Sequence, residues 1–180
     1  MAAADATVVA TLTAEFRKVK ALADDAIAQL DDAQLHARLD PEANSVAVLM
    51  RHLAGNMQSR WTDFLTTDGE KPWRRRDDEF EPPATTRADL IASWEAGWTT
   101  LFAALAALTD ADLARPVAIR GESQTALAAI VRQLAHYAGH AHQIVLLAKH
   151  LRGDGWRVLS IPRGQSQAYT ARLQGTPGPS

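Results

Sequence analysis

"QLAHYAGHAHQIV" (Gln133–Val145) sets three histidines into an otherwise apolar run. Around it, from about Thr125 to Arg152, the chain keeps a 3.6-residue period without proline until Gly153, and Lys149, His150 and Arg152 suit a helix C-terminus. The stretch therefore reads as one long helix. At about 100° per residue, His136 and His140 lie about 40° apart on one stripe with Gln143, whereas His142 points roughly 120° or more away. One turn is the spacing that lets two ring nitrogens meet a single ion at about 2.0–2.1 Å. Zinc proteases use the same pairing with a glutamate between the histidines, and that glutamate is absent here, so a protease reading is poor.

Working outward, three more segments have helical length and period. The first spans about Ala6 to Leu30, with Leu12, Phe16, Val19, Ala23, Ala26 and Leu30 on one face. "DDAQLHARLDPEANS" (31–45) reads as a connector broken at Pro41, and the second helix runs from about Ser45 to Leu65. "DGEKPWRRRDDEFEPP" (68–83) has no period and reads as a charged loop. The third helix opens on Thr86, with Asp89 three residues on as in a capping box, and continues to about Leu108. "TDADLARPVAIRGESQ" (109–124) has room for a short hairpin around Gly121. The expectation is an all-α chain: a four-helix bundle with a long crossover connection over residues 1–165, then a polar tail, 166–180, frayed at "GTPGPS".

A third ligand has to come from another helix, and His52 in "LMRHLAGNMQSRW" is the candidate. Its stripe carries Ser45, Leu49, Asn56, Ser59 and Asp63, beside a broader apolar face of Val46, Met50, Leu53, Met57, Trp61 and Phe64. That places His52 at a polar margin of a core-facing helix. Three histidines from two helices leave coordination positions free, as a catalytic ion requires. Spacing alone also allows ordinary hydrogen-bonded histidines, and leaves the two readings open.

The totals narrow the class. The chain has 180 residues, 47% hydrophobic and 22% charged, with a net charge of −2, which suits one globular domain and gives no basic surplus for nucleic acid or anionic membrane. The start, "MAAADATVVATLTAEF", lacks the basic and long apolar regions of a signal peptide, and "LFAALAAL" (101–108) is too short to span a bilayer. The expected location is the cytoplasm. Without cysteine, any metal is held by nitrogen or oxygen, and any thiol comes from outside.

Three stretches, "NSVAVLMRHLAGNMQSRWTDFLTTDGEKPWRRRDDEFE" (44–81), "VAIRGESQTALAAIVRQLAHYAGHAHQIVLLAKHL" (117–151) and "LSIPRG" (159–164), resemble an uncharacterised subgroup of the DinB-like superfamily. That superfamily also holds YfiT-type proteins assigned as metal hydrolases and bacterial low-molecular-weight thiol transferases. The resemblance implies a homodimeric four-helix bundle with one divalent metal, zinc or nickel, on one histidine of the second helix and an H-x3-H pair of the last. Here those are His52, His136 and His140. His142 is not carried over.

An ion on three neutral imidazoles keeps its full charge and can activate a bound water or thiol. The resemblance therefore implies a metal-dependent transferase adding a small thiol cosubstrate to a small electrophile, or a hydrolase. The alternative is a non-catalytic metal-binding bundle in stress response. Asn56 and Gln143, one turn from His52 and His140, are candidates to orient a ligand or water. Asp63 is too far along its stripe, and no carboxylate near the histidines stands out as a base. Lys71, Arg74, Arg75 and Arg76 could clamp an anion, but Asp77, Asp78 and Glu79 beside them favour a solvated loop. Trp61, Trp94 and Trp98 read as core, while Trp73 could roof the pocket. The last helix, apolar on nearly all sides with small residues at Ala128, Ala135 and Gly139, suggests a dimer contact.

Overall fold

A computed structural model describes residues 7–81 and 85–175. Among them are six helices, α1 (Val8–Ile27), α2 (Asp32–His36), α3 (Val46–Trp61), α4 (Arg87–Ala106), α5 (Ala126–Arg152) and α6 (Ser166–Gln174), and one antiparallel sheet, β1 (Pro116–Ile119) with β2 (Glu122–Thr125). The four long helices start where a hydroxyl can take up a free N–H: Thr7, Ser45, Thr86 and Thr125 each accept from the residue three positions on. Such a cap is worth about 1 kcal/mol over alanine. At Thr86, Asp89 closes the expected capping box. Gly153, at φ 52°, stops α5 in a conformation that other residues avoid.

The close helix pairs are α3 with α4, α1 with α5, α3 with α5 and α1 with α4. Their shared core holds Phe16, Trp61, Trp94, Trp98 and Tyr137, all essentially out of solvent. The polar ends of Trp94, Trp61 and Tyr137 are satisfied inside, whereas Trp98 Nε1 is buried without a hydrogen-bond partner. Trp94 Nε1 donates to Asp24 Oδ1 at 2.7 Å, and Trp61 Nε1 donates to the Tyr137 hydroxyl at 3.1 Å. The Tyr137 O–H in turn donates a hydrogen bond to Asn56 Oδ1 at 2.8 Å.

Helix α3 is the central element, with thirteen of its sixteen residues buried. His52 is only 4% exposed, so it lies in the interior and not at a polar margin. Helix α4 can approach because Gly97 faces Ala54: a Cβ there would sit 3.0 Å from the Ala54 Cα and from the Met57 Cε.

Several boundaries depart from expectation. Helix α3 ends at Trp61, not Leu65, because Asp63 turns to φ 50° and its carbonyl accepts from the N–H groups of Thr66 and Thr67. Helix α4 ends at Ala106 and α1 at Ile27; the expected start at Ala6 lies outside the described residues. The first connector contains α2, held by a reciprocal cap between Asp31 and Gln34. The polar tail contains α6, none of whose residues is buried. Of the expected frayed end, everything beyond Gly175 is outside the described residues.

The hairpin around Gly121 is present, with Ile119 paired to Glu122 across a two-residue turn. Arg120 (φ 57°) and Gly121 (φ 77°) both take the positive φ that such a turn requires. Asp68, in the loop after α3, fixes the turn: its two carboxylate oxygens accept from the N–H groups of Arg120 and Gly121 at 2.8 and 2.7 Å. Among the described residues no helix is long and apolar enough to cross a membrane.

The α3–α4 contact yields a direct test. Gly97→Val should lower unfolding free energy by about 1–3 kcal/mol through overpacking, read from urea denaturation midpoints.

Candidate metal centre

His52 comes from the middle of α3, and His136 and His140 stand one turn apart on α5. Their Nε2 atoms converge: His136 lies 3.4 Å from His52 and 3.1 Å from His140. Two ligands bound at 2.0–2.1 Å with a tetrahedral angle between them are about 3.3–3.4 Å apart, so these separations suit a zinc-sized ion. The three residues form a group able to hold a metal ion, with their donor atoms within 4.8 Å of one another.

The opposite ring nitrogens explain why Nε2 is the free donor. His52 Nδ1 is 2.9 Å from Glu79 Oε2, and His140 Nδ1 is 2.8 Å from Gln143 Oε1. Both oxygens can only accept, so each Nδ1 carries a hydrogen and Nε2 is the nitrogen that each ring turns inward. Gln143 thus stands where helical spacing put it. His142 is exposed and hydrogen-bonds through Nδ1 to the Ala138 carbonyl at 2.7 Å, away from the trio.

Electrostatics favour the neutral ring at His136 and at His140. Burial, helped by the nearby His140 and His52, pushes the His136 imidazole down to about 3. Burial also lowers His140; His52 adds to this and the Gln143 hydrogen bond opposes it. Glu79 behaves in the opposite sense. Burial would raise its carboxyl, but hydrogen bonds from Arg74 and His52 and their charges outweigh burial and hold it below the usual carboxylate range.

Glu79 overturns the reading of "KPWRRRDDEF" as a solvated loop. Lys71 and Glu79 are buried, and the Arg74 side chain is only 2% exposed. Arg74 grips Glu79 by two hydrogen bonds of 2.8 Å, while Glu70 takes Arg60 at 2.9 Å. The opposite charges of this run pair inward against α3, and only Arg75 with Asp78 and Arg76 with Asp77 form the outer pairs expected of a wet loop. Gly55 leaves the room, since a Cβ on it would collide with Glu79 Oε1. Trp73 does not roof the site; it is 54% exposed and absent from the cavity wall. Phe80 takes that place, its ring 4.7 Å from the His52 ring.

A cavity of about 370 Å³ opens onto the trio, and Asn56 and Gln133 also line it. Burial pushes the Tyr137 hydroxyl up, so it stays protonated at neutral pH. Asp63 lies beyond the end of α3 and does not join the wall. Sequence reasoning missed Glu79 and Gly55. No local signal separated Glu79 from the neighbouring charges, and of the two aromatic rings in the run only Phe80 packs against the site while Trp73 stays exposed.

Fold and site together define a mostly helical protein with a three-histidine group, His52 buried and His136 and His140 half-buried, beside a small cavity. The chain belongs to the family described as protein of unknown function DUF1572, which matches residues 4–165. No curated protein matches it.

The His136 shift predicts a pH response. The unfolded chain binds this proton near pH 6.5 and the folded chain only near pH 3, so folding loses stability as pH falls through that window. In the metal-free protein the thermal midpoint should drop between pH 6.5 and about 5, above the carboxylate range, and His136→Gln should flatten that slope.

Proposed function

We propose that the chain is a DinB-like four-helix bundle that binds one divalent ion, zinc or nickel, through Nε2 of His52, His136 and His140. On this reading it is a metal-dependent enzyme that transfers a small thiol to a small electrophile. The observation that carries this reading is the inward convergence of three Nε2 atoms, two of them oriented by acceptors on Nδ1. A divalent ion held there supplies Lewis acidity, lowering the pKa of a thiol or a water that reaches it. The residues of the chain do the rest. Glu79 fixes the His52 ring, Gln143 fixes the His140 ring, and Phe80 shields His52. The adjoining cavity gives a guest somewhere to sit, which a purely structural ion does not need.

In thiol transfer the sulfur gives its proton to solvent and forms the new C–S bond. The group it displaces departs with the electron pair of the bond that breaks. Hydrolysis is the same displacement with water in place of the thiol, and the donor set serves either. The exposed apolar positions Val131 and Leu146 on α5, on the side that carries Ala128, Ala135 and Gly139, support a homodimer.

Metal analysis of the purified protein tests the ligand set. His52→Ala, His136→Ala and His140→Ala should each lose most of the metal, and His142→Ala should keep it. Glu79→Gln should weaken metal affinity by about 10–100-fold, the usual cost of losing a carboxylate behind a ligating histidine. Cobalt substitution tests the open position: added mercaptoethanol should perturb the visible bands, and an inert spectrum would sink the enzymatic reading.

A further inference from the structure

The cavity over the histidines is lined by five arginines, Arg60, Arg74, Arg76, Arg120 and Arg132, and by no carboxylate. These are five of only 19 lysines and arginines in a chain whose net charge is −2, so the concentration is local. Two of them are held as structure. Arg60 and Arg74, nearly buried, pair with Glu70 and Glu79. The other three are not used up in this way. Arg120 shares Glu70 with Arg60 and keeps its side chain 59% exposed. Among the described residues Arg76 has one ion-pair partner, Asp77, at 3.6 Å, and that aspartate is wholly in solvent. Arg132, exposed on α5 one turn before His136, has no hydrogen bond or ion pair among the described residues.

Three different elements deliver these guanidiniums to one wall. Arg76 precedes the short turn Asp77–Phe80, with its guanidinium 4.9 Å above the Phe80 ring. Arg120 sits in the hairpin turn that Asp68 clamps, held at a positive φ that non-glycine residues seldom adopt. That clamp also aims Arg120 Nε at Glu70. Guanidinium groups around a concave site concentrate its positive potential and match the two oxygens of a carboxylate or phosphate. A volume near 370 Å³ limits the guest to a small molecule.

We infer that the centre acts on a small anionic substrate, whose carboxylate or phosphate group is held by Arg76, Arg120 and Arg132 while its reactive end reaches His52, His136 and His140. This deepens, and rests on, the metal-centre reading proposed above.

The test uses cobalt-loaded protein and thiols of similar reach but different charge: mercaptoethanol, aminoethanethiol, mercaptopropionate and mercaptoethanesulfonate. The two anionic thiols should half-saturate the spectral change at concentrations at least about tenfold lower than mercaptoethanol, the effect of one charge-assisted hydrogen bond. Aminoethanethiol should be the weakest. Whichever of the planar carboxylate or the tetrahedral sulfonate binds tighter identifies the preferred oxyanion. Arg76→Gln combined with Arg132→Gln should erase the preference, and Arg115→Gln, remote from the cavity, should keep it. Equal half-saturation by neutral and anionic thiols overturns the anion inference and leaves the metal centre standing. Bands inert to every thiol overturn the enzymatic reading instead. In that case calorimetry with inorganic phosphate and succinate on the protein as purified decides the anion site: binding lost in the double variant supports it, and no binding, or equal binding in both proteins, refutes it.

Discussion

The buried carboxylate of Glu79 is the constraint on which the site depends. A charge this far from water costs several kcal/mol unless it is paired and hydrogen-bonded. Glu79 meets both conditions, with Arg74 gripping both oxygens and His52 Nδ1 on one of them. The same contacts have two consequences. They hold the loop from Arg74 to Phe80 against α3, and they fix the tautomer of His52 so that its free nitrogen faces α5. Loop packing and ligand orientation are therefore one interaction seen from two sides.

Helix α3 can carry that interaction because of two adjacent small residues. At Ala54 the backbone meets Gly97 and lets α4 come close. At Gly55 the missing side chain makes room for Glu79. One helix thus receives a packed neighbour on one side and a buried ion-paired loop on the other, and His52, one turn earlier than Asn56, lies between those contacts and α5. The Trp61–Tyr137–Asn56 chain of hydrogen bonds adds a polar link from α3 to α5 close to the histidines. It sets the spacing of the two helices whose nitrogens have to meet.

How much of this could be read from the sequence follows from the range of the forces involved. The pairing of His136 with His140, the orientation of Gln143 and the exclusion of His142 rest on helical geometry within a few residues, and the structure places all four accordingly. Thr86 with Asp89 and the turn at Gly121 are likewise local. His52 was legible as a partner only through its place on a second helix and the family resemblance. Glu79 was not legible, since it follows His52 by 27 residues in a run where every charge has an opposite neighbour, and nothing local says which pairs turn inward. Helices α2 and α6 escaped because five or nine residues with little or no buried face leave no periodic pattern.

The charges around the trio bear on how metal and substrate would influence each other. Arg60 and Arg74 help to lower the His136 pKa, because positive charge disfavours a protonated ring. By the same Coulomb law they disfavour a divalent cation on that nitrogen. Glu70 and Glu79 offset Arg60 and Arg74 from behind, but Glu70 is shared with Arg120, Arg76 meets a fully solvated Asp77, and Arg132 has no acidic partner among the described residues, so positive charge is left in excess. On the proposed reading an anionic guest supplies the missing negative charge. Cation and anion would then each strengthen the binding of the other, a coupling that linkage makes reciprocal. On that reading the arrangement disfavours a proton on His136, draws anions to the cavity, and makes the filled site more favourable than either half-filled one.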